Sequence, residues 1–178
     1  MRLVTASDAN RVRLTRMFVA HHESVWRSLR RRGLSPDEAA DATQETFVIA
    51  FGRLADIPED SERAFLIGTA RRVAHTLGRK TVRWQLDEDM DQHISSVRDA
   101  NDERAALDLC DAALAKLSPE LAETFLLYEI EGLSSPEIAA LLEVPLGSVA
   151  SRLRRAREQF REAVTRFERG LLNSKGRS

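Results

Sequence analysis

Residues 133–160 read LSSPEIAALLEVPLGSVASRLRRAREQF, and this stretch decides the fold. Ser135-Pro136-Glu137 is a helix start, with proline in the first turn and an acid near the positive end of the helix dipole. Ile138, Ala139, Leu141, Leu142 and Val144 supply one apolar side of a short helix ending at about Glu143. Val144-Pro145-Leu146-Gly147 then predicts a tight turn into a long final helix. In that helix Val149, Leu153, Ala156, Phe160, Val164 and Phe167 recur every three or four residues and form one narrow stripe. A short helix, a turn and a helix with one packed face make a helix-turn-helix.

The stripe fixes where the other side chains point. Ser151 and Glu158 lie almost opposite it, with Ser148 and Arg155 on one shoulder of the exposed face and Arg154 on the other. Ser148, Ser151, Arg154 and Arg155 are thus placed to reach base edges, where arginine reads guanine and serine serves several bases. Arg152 and Arg157 fall nearer the packing boundary and are placed for phosphates, with the helix N-terminal amides around Gly147. Gly147 carries no side chain, so its backbone can approach a duplex closely. By spacing alone the same pattern also describes a packing corner. The arginines between 152 and 157, with only Glu158 beside them, favour DNA, because a surface helix usually alternates signs.

Upstream, Ser118-Pro119-Glu120 starts another helix that runs to about Glu131 and is closed by Gly132, and a further helix spans about 103–116. In the N-terminal half, Leu14, Met17, Phe18, Val25, Trp26 and Leu29 give a buried stripe along a helix over Leu14–Arg32, which Gly33 ends. Ser35-Pro36-Asp37-Glu38 opens a second helix, to about Leu54. The polar stretch Ala55–Glu62, with Pro58, breaks it, and a third helix runs over about Ser61–Arg79, stopping near Gly78. The expected fold is all-α: two small helical domains, 1–84 and 105–178, joined by an acidic linker, 85–104, with the helix-turn-helix in the second.

Composition agrees. Of 178 residues 43% are hydrophobic and 31% charged, with only 8 Gly and 5 Pro, a mixture that favours helix. The net charge of −1 hides segregation: residues 1–84 carry +5, residues 85–113 carry −7 and residues 114–178 carry +1. The longest apolar runs fall far short of a membrane span, no secretory signal is visible, and Cys110 cannot form an intrachain disulfide. A reducing cytoplasm is the simplest reading. His21, His22, His75 and His93 make no metal-ligand pattern with carboxylates or Cys110, and no phosphate-binding glycine loop occurs, so neither catalysis nor a cofactor is expected.

Leu133-Ser-Ser-Pro-Glu137-Ile-Ala139, followed by Val144-Pro145-Leu-Gly147-Ser-Val149-Ala-Ser151-Arg152-Leu-Arg-Arg155-Ala156-Arg157, closely resembles region 4 of bacterial sigma factors of the extracytoplasmic-function (ECF) group. Asp41-Ala-Thr-Gln44-Glu45-Thr-Phe47 resembles the region 2 helix that grips RNA polymerase. Phe65-Leu66-Ile-Gly-Thr-Ala70-Arg71 resembles the helix after it, which meets the minus-10 promoter element. The resemblance implies a promoter-specificity subunit acting as a monomer within holoenzyme and catalysing nothing itself. Its partners would be core RNA polymerase, promoter DNA and an anti-sigma protein covering apolar and basic surfaces of both domains.

Residue by residue, the resemblance makes Asp41, Gln44, Glu45, Phe47 and Val48 a polymerase contact, and Arg71, Arg72, His75, Arg79 and Lys80 a minus-10 surface. Positions 41, 44, 45 and 48 share one helix face, as such a contact needs. The loop Ala55–Glu62 resembles the segment that captures an unstacked base, and the acidic linker would thread along the path of nascent RNA. There are departures. Phe65 stands where the family commonly has Trp, Thr69 and Arg72 where it has Ile and Asn, and Ala150 at a frequently basic position. The short tail after Phe167 leads us to expect no appended sensory domain. A rival reading is an operator-binding regulator with a helical sensor domain, which would need dimer symmetry instead of polymerase.

Overall fold

The computed structural model describes residues 6–77 and 100–175. Among them are seven α-helices, two 3-10 turns and no strand, and the chain divides into two compact units, Met1–Arg83 and Trp84–Ser178. The expected positions of Gly78, Arg79, Lys80 and residues 85–99 of the acidic linker lie outside the described residues.

In the first unit α1 spans Ala6–Arg31, α2 Pro36–Gly52 and α3 Glu62–Thr76. Helix α1 begins eight residues before the expected Leu14, because its first turns carry no apolar stripe from which to read it. It ends as anticipated: Gly33 takes φ 83°, and its amide donates to the Arg30 carbonyl at 2.8 Å. Ser35 caps α2 in a capping box, its hydroxyl accepting from the Glu38 amide at 3.3 Å while the Glu38 carboxylate accepts from the Ser35 amide at 2.8 Å. Two short 3-10 turns, Leu54–Asp56 and Glu59–Ser61, flank Pro58 and carry the chain to α3. Met17, Val25 and Leu29 of α1 pack with Ala39, Ala42 and Ala50 of α2 and Leu66, Ile67 and Ala70 of α3. Thr43 and Thr46 sit inside this core without cost, since each hydroxyl donates to a carbonyl one turn back at 2.7 Å. Phe18 departs from the expected buried stripe: it is 44% exposed.

The second unit holds α4 (Ala100–Leu114), α5 (Pro119–Glu129), α6 (Ser135–Leu142) and α7 (Leu146–Lys175). Helix α4 takes up residues 100–104 that the sequence reading placed in the linker. The α5–α6 turn closes through Gly132 at φ 64°, and the Leu133 amide donates to the Leu127 carbonyl at 3.0 Å. The cap of α6 is Ser134, one residue earlier than the expected Ser135. Spacing explains it, because only Ser134 has Glu137 three residues on, and its amide and hydroxyl donate to that carboxylate at 2.7 and 2.6 Å. Leu121, Leu126, Leu127, Leu133, Ile138, Val149, Leu153 and Ala156 form the core, and Phe125 stacks on Phe160 with ring centroids 5.1 Å apart.

Glu143, between α6 and α7, is the only non-glycine residue with positive φ among the described residues, at φ 56° and ψ 44°. A side chain there is strained, and glycine would relieve the clash at the cost of a looser unfolded chain. Glu143→Gly is therefore expected to change stability by less than about 1 kcal/mol in the favourable direction, read as a small rise in the thermal midpoint. A fall would mean that the glutamate side chain contributes more than its backbone costs.

Candidate nucleic-acid interface and apolar groove

Helix α7 turns its buried side, Val149, Leu153 and Ala156, onto α5 and α6 and leaves the opposite side to solvent. Gly147, Ala150, Arg154 and Arg155 are exposed, and Ser148 and Ser151 are half-buried, the Ser151 hydroxyl donating to the Ser148 carbonyl at 2.9 Å. Arg155 has no hydrogen-bond or ion-pair partner among the described residues. Arg154 is 72% exposed and lies 3.9 Å from Glu158 one turn on, a contact too long and too wet to hold it. Nothing within 4 Å would meet a Cβ on Gly147, so the fold itself does not demand glycine there.

Arg152 and Arg157 differ from this free pair. Arg152 reaches Glu120 at 3.3 Å, and Arg157 reaches Glu129 at 2.7 Å while its guanidinium lies 5.1 Å from the centre of the Tyr128 ring. Both acids sit on α5, so these two arginines tie the exposed helix to its support. The hydrogen bond to Glu129 raises the Arg157 pKa further. Tyr128, Ser135, Leu153, Arg157 and Arg161 line a shallow groove alongside α7.

In the first unit the exposed face of α2 carries Asp41, Gln44, Glu45 and Val48, as its spacing predicts. Phe47 does not join them: only 6% exposed, it packs on Phe18 with ring centroids 5.0 Å apart. Together with Leu14, His22 and Phe51 these residues line an apolar trough of about 510 Å³ between α1 and α2. Val12 and Val19 of α1 are exposed as well, as are Val48 and Phe51 of the trough itself. On α3, His75 and Arg72 are exposed, Arg72 donating to the buried Thr69 hydroxyl at 3.2 Å, whereas Arg71 is half-buried with a partner of its own.

Residues 17–83 match the family described as Sigma-70 region 2, and residues 107–160 match Sigma-70, region 4. The two matches together cover well over half of the chain, in family order. Among curated relatives, the ECF RNA polymerase sigma factor SigE of Mycolicibacterium smegmatis is 32% identical over 155 residues, covering 82% of this chain. The ECF RNA polymerase sigma factor SigC of Mycobacterium tuberculosis is 29% identical over 165 residues, covering 87% of this chain and 85% of its own length. The chain belongs to the ECF group of sigma-70 factors. It spans 59% of the length of SigE. Its fold matches that of CnrH, solved in complex with the cytosolic domain of CnrY, with a TM-score of 0.61, 25% identity, and coverage of 85% of this chain and 87% of that one. The sigma factor RpoE of Bartonella quintana, solved with the anti-sigma factor NepR, gives a TM-score of 0.62 at 22% identity, covering 85% and 96%.

Against this sigma-factor frame, the helix-turn-helix residues lie inside the region 4 match, and the α2 and α3 residues inside region 2. Sequence reasoning missed the apolar trough. Part of the signal was present in Phe18, but a single stripe along α1 assigns that residue to a core. No group of three His, Cys, Asp or Glu fit to hold a metal occurs among the described residues, nor does any helix long and apolar enough to cross a membrane.

Proposed function

We propose that this sigma factor binds core RNA polymerase as a single copy, recognises a minus-35 element through α7 and helps to open and read a minus-10 element through α2, α3 and the loop between them, catalysing no reaction itself. The observation that carries the reading is the exposed face of α7, where Arg155 has no partner among the described residues and Arg154 only a long contact to Glu158, beside two half-buried serines. Such a face suits base-edge recognition in a major groove. The α2 face of Asp41, Gln44, Glu45 and Val48, beside the trough floored by Phe47, supports a polymerase contact that mixes charge with apolar area. Arg72 and His75, with Arg79 and Lys80 beyond the described residues, would serve the minus-10 strand. The proposed site of action is the cytoplasm.

Mixing the purified chain with core polymerase tests this directly. Co-migration and promoter-specific transcription are expected, and sequencing the DNA selected by the holoenzyme would reveal the motif. Binding of paired operator half-sites by a dimer without polymerase would replace this reading with that of a conventional regulator.

An anti-sigma partner is the second element of the proposal. RpoE was solved with the anti-sigma factor NepR and CnrH with the cytosolic domain of CnrY, and the apolar trough offers a surface that a partner helix would cover.

Arg152 and Arg157 retain a phosphate role in this proposal, but in competition with their carboxylates. Glu129→Gln should raise duplex affinity about threefold by releasing Arg157, the scale of one partly exposed ion pair. The gain should vanish in an Arg157→Ala background. A gain that persists there would be a general charge effect, and a loss would make Glu129 a support for DNA binding.

A further inference from the structure

The loop joining α2 to α3 holds two 3-10 turns by its own backbone hydrogen bonds, and it is also fixed from a distance by one side chain. Arg13 of α1 donates Nε to the Glu62 carboxylate at 2.8 Å, Nη1 to the Leu54 carbonyl at 3.0 Å and Nη2 to the Ile57 carbonyl at 2.5 Å. Its partners lie 41 to 49 residues away in sequence. The arrangement is shielded, with 19% of the Arg13 side chain and 9% of the Glu62 side chain exposed. Leu54 and Ile57 anchor the loop on the apolar side, at 3% and 2% exposure. Between these anchors Ala55 and Asp56 stand in solvent, as do Glu59 and Asp60 after them, and Arg16 reaches Glu59 at 3.4 Å on the outer edge.

Only a guanidinium can do this. Its planar fork presents donors in fixed directions to three acceptors at once, whereas an ammonium is a point donor that cannot span them. Two of the acceptors are main-chain carbonyls, so the contact sets the path of the backbone itself. Charge matters too: the loop and its flank carry Asp56, Glu59, Asp60 and Glu62, and Arg13 neutralises the one that is buried. A loop that receives a flipped base must hold its shape beforehand, or the cost of ordering it is taken from binding.

We propose that Arg13 is a positioning residue for strand capture: it holds residues 54–62 in the shape that accepts an unstacked base of the opened promoter strand. This rests on the sigma-factor reading of the loop. Arg13 lies ahead of the residues matched to region 2, whereas Leu54, Ile57 and Glu62 lie inside them.

The test uses holoenzyme reconstituted with the full chain and two probes from the promoter that the wild type selects. One is a single-stranded oligonucleotide carrying the minus-10 element, the other a duplex carrying only the minus-35 element. Arg13→Met keeps the apolar stem and should weaken single-strand binding about tenfold, with duplex binding within about twofold of wild type. Arg13→Lys should fail to restore the loss, and Glu62→Gln, which leaves the two carbonyl contacts intact, should cost about threefold. If Arg13→Met does not fold, as judged by circular dichroism, the other two variants decide. Single-strand binding within twofold of wild type in the folded variants overturns the inference, and so does a parallel loss on both probes. Failure of the sigma-factor reading looks different: wild-type holoenzyme would then select no promoter at all.

Discussion

Replacing Ile138 by alanine should dismantle the helix-turn-helix. Helix α6 has eight residues, too few to persist alone in water, so it depends on what it buries. Ile138 is its single fully buried residue, with no exposed surface, and it packs where α6 meets α7. Truncating a buried isoleucine to alanine costs about 2–5 kcal/mol, from lost transfer energy and the cavity left behind. That is a large share of what a small helical unit has available. Hydrogen exchange should show lost protection across α6 and the start of α7, with minus-35 duplex binding lost alongside. A cost below about 1 kcal/mol, with protection intact, would mean that the capping box and Leu133 hold α6 without it.

Arg155→Ala should cost about 1–3 kcal/mol of promoter binding and relax preference at one position of the minus-35 element. The position of the side chain supports the argument, since it lies on the exposed shoulder of α7 with no partner among the described residues to give up before reaching a base. Its neighbours provide the contrast. Arg157, bound to Glu129, should weaken all sequences alike when removed. The measurement is a set of single-base variants of the selected promoter, titrated with wild-type and variant holoenzyme at fixed salt. Uniform weakening by Arg155→Ala would make it a phosphate contact. No weakening would remove it from the interface.

The face of α7 was legible because a long helix with strong periodicity needs only its own residues to be read, and Val149, Leu153 and Ala156 are buried as their spacing demands. The partners of that face were not legible. Glu120 and Glu129 lie 32 and 28 residues from the arginines they hold, and no local pattern links them. The same limit hid Arg13, which stands just ahead of the expected helix start at Leu14 and reads as one more charge until the loop folds back over it. Local rules also shifted one boundary. Three Ser-Pro pairs look alike, yet at the third the glutamate spacing makes Ser134 the cap. Phe18 failed for a different reason: hydrophobic periodicity cannot distinguish a side chain buried in its own core from one left open for another molecule.

The left-handed Glu143 has a wider consequence for how such a protein could diversify. Its backbone angles set the turn from α6 into α7, while, under the proposed function, the side chains of α7 choose the letters. A lineage can therefore exchange Ser148, Ser151 or Arg155 and acquire a new target without redirecting the rest. A change in that bend would misdirect every contact together, so preference can drift by small steps only while the bend stays put.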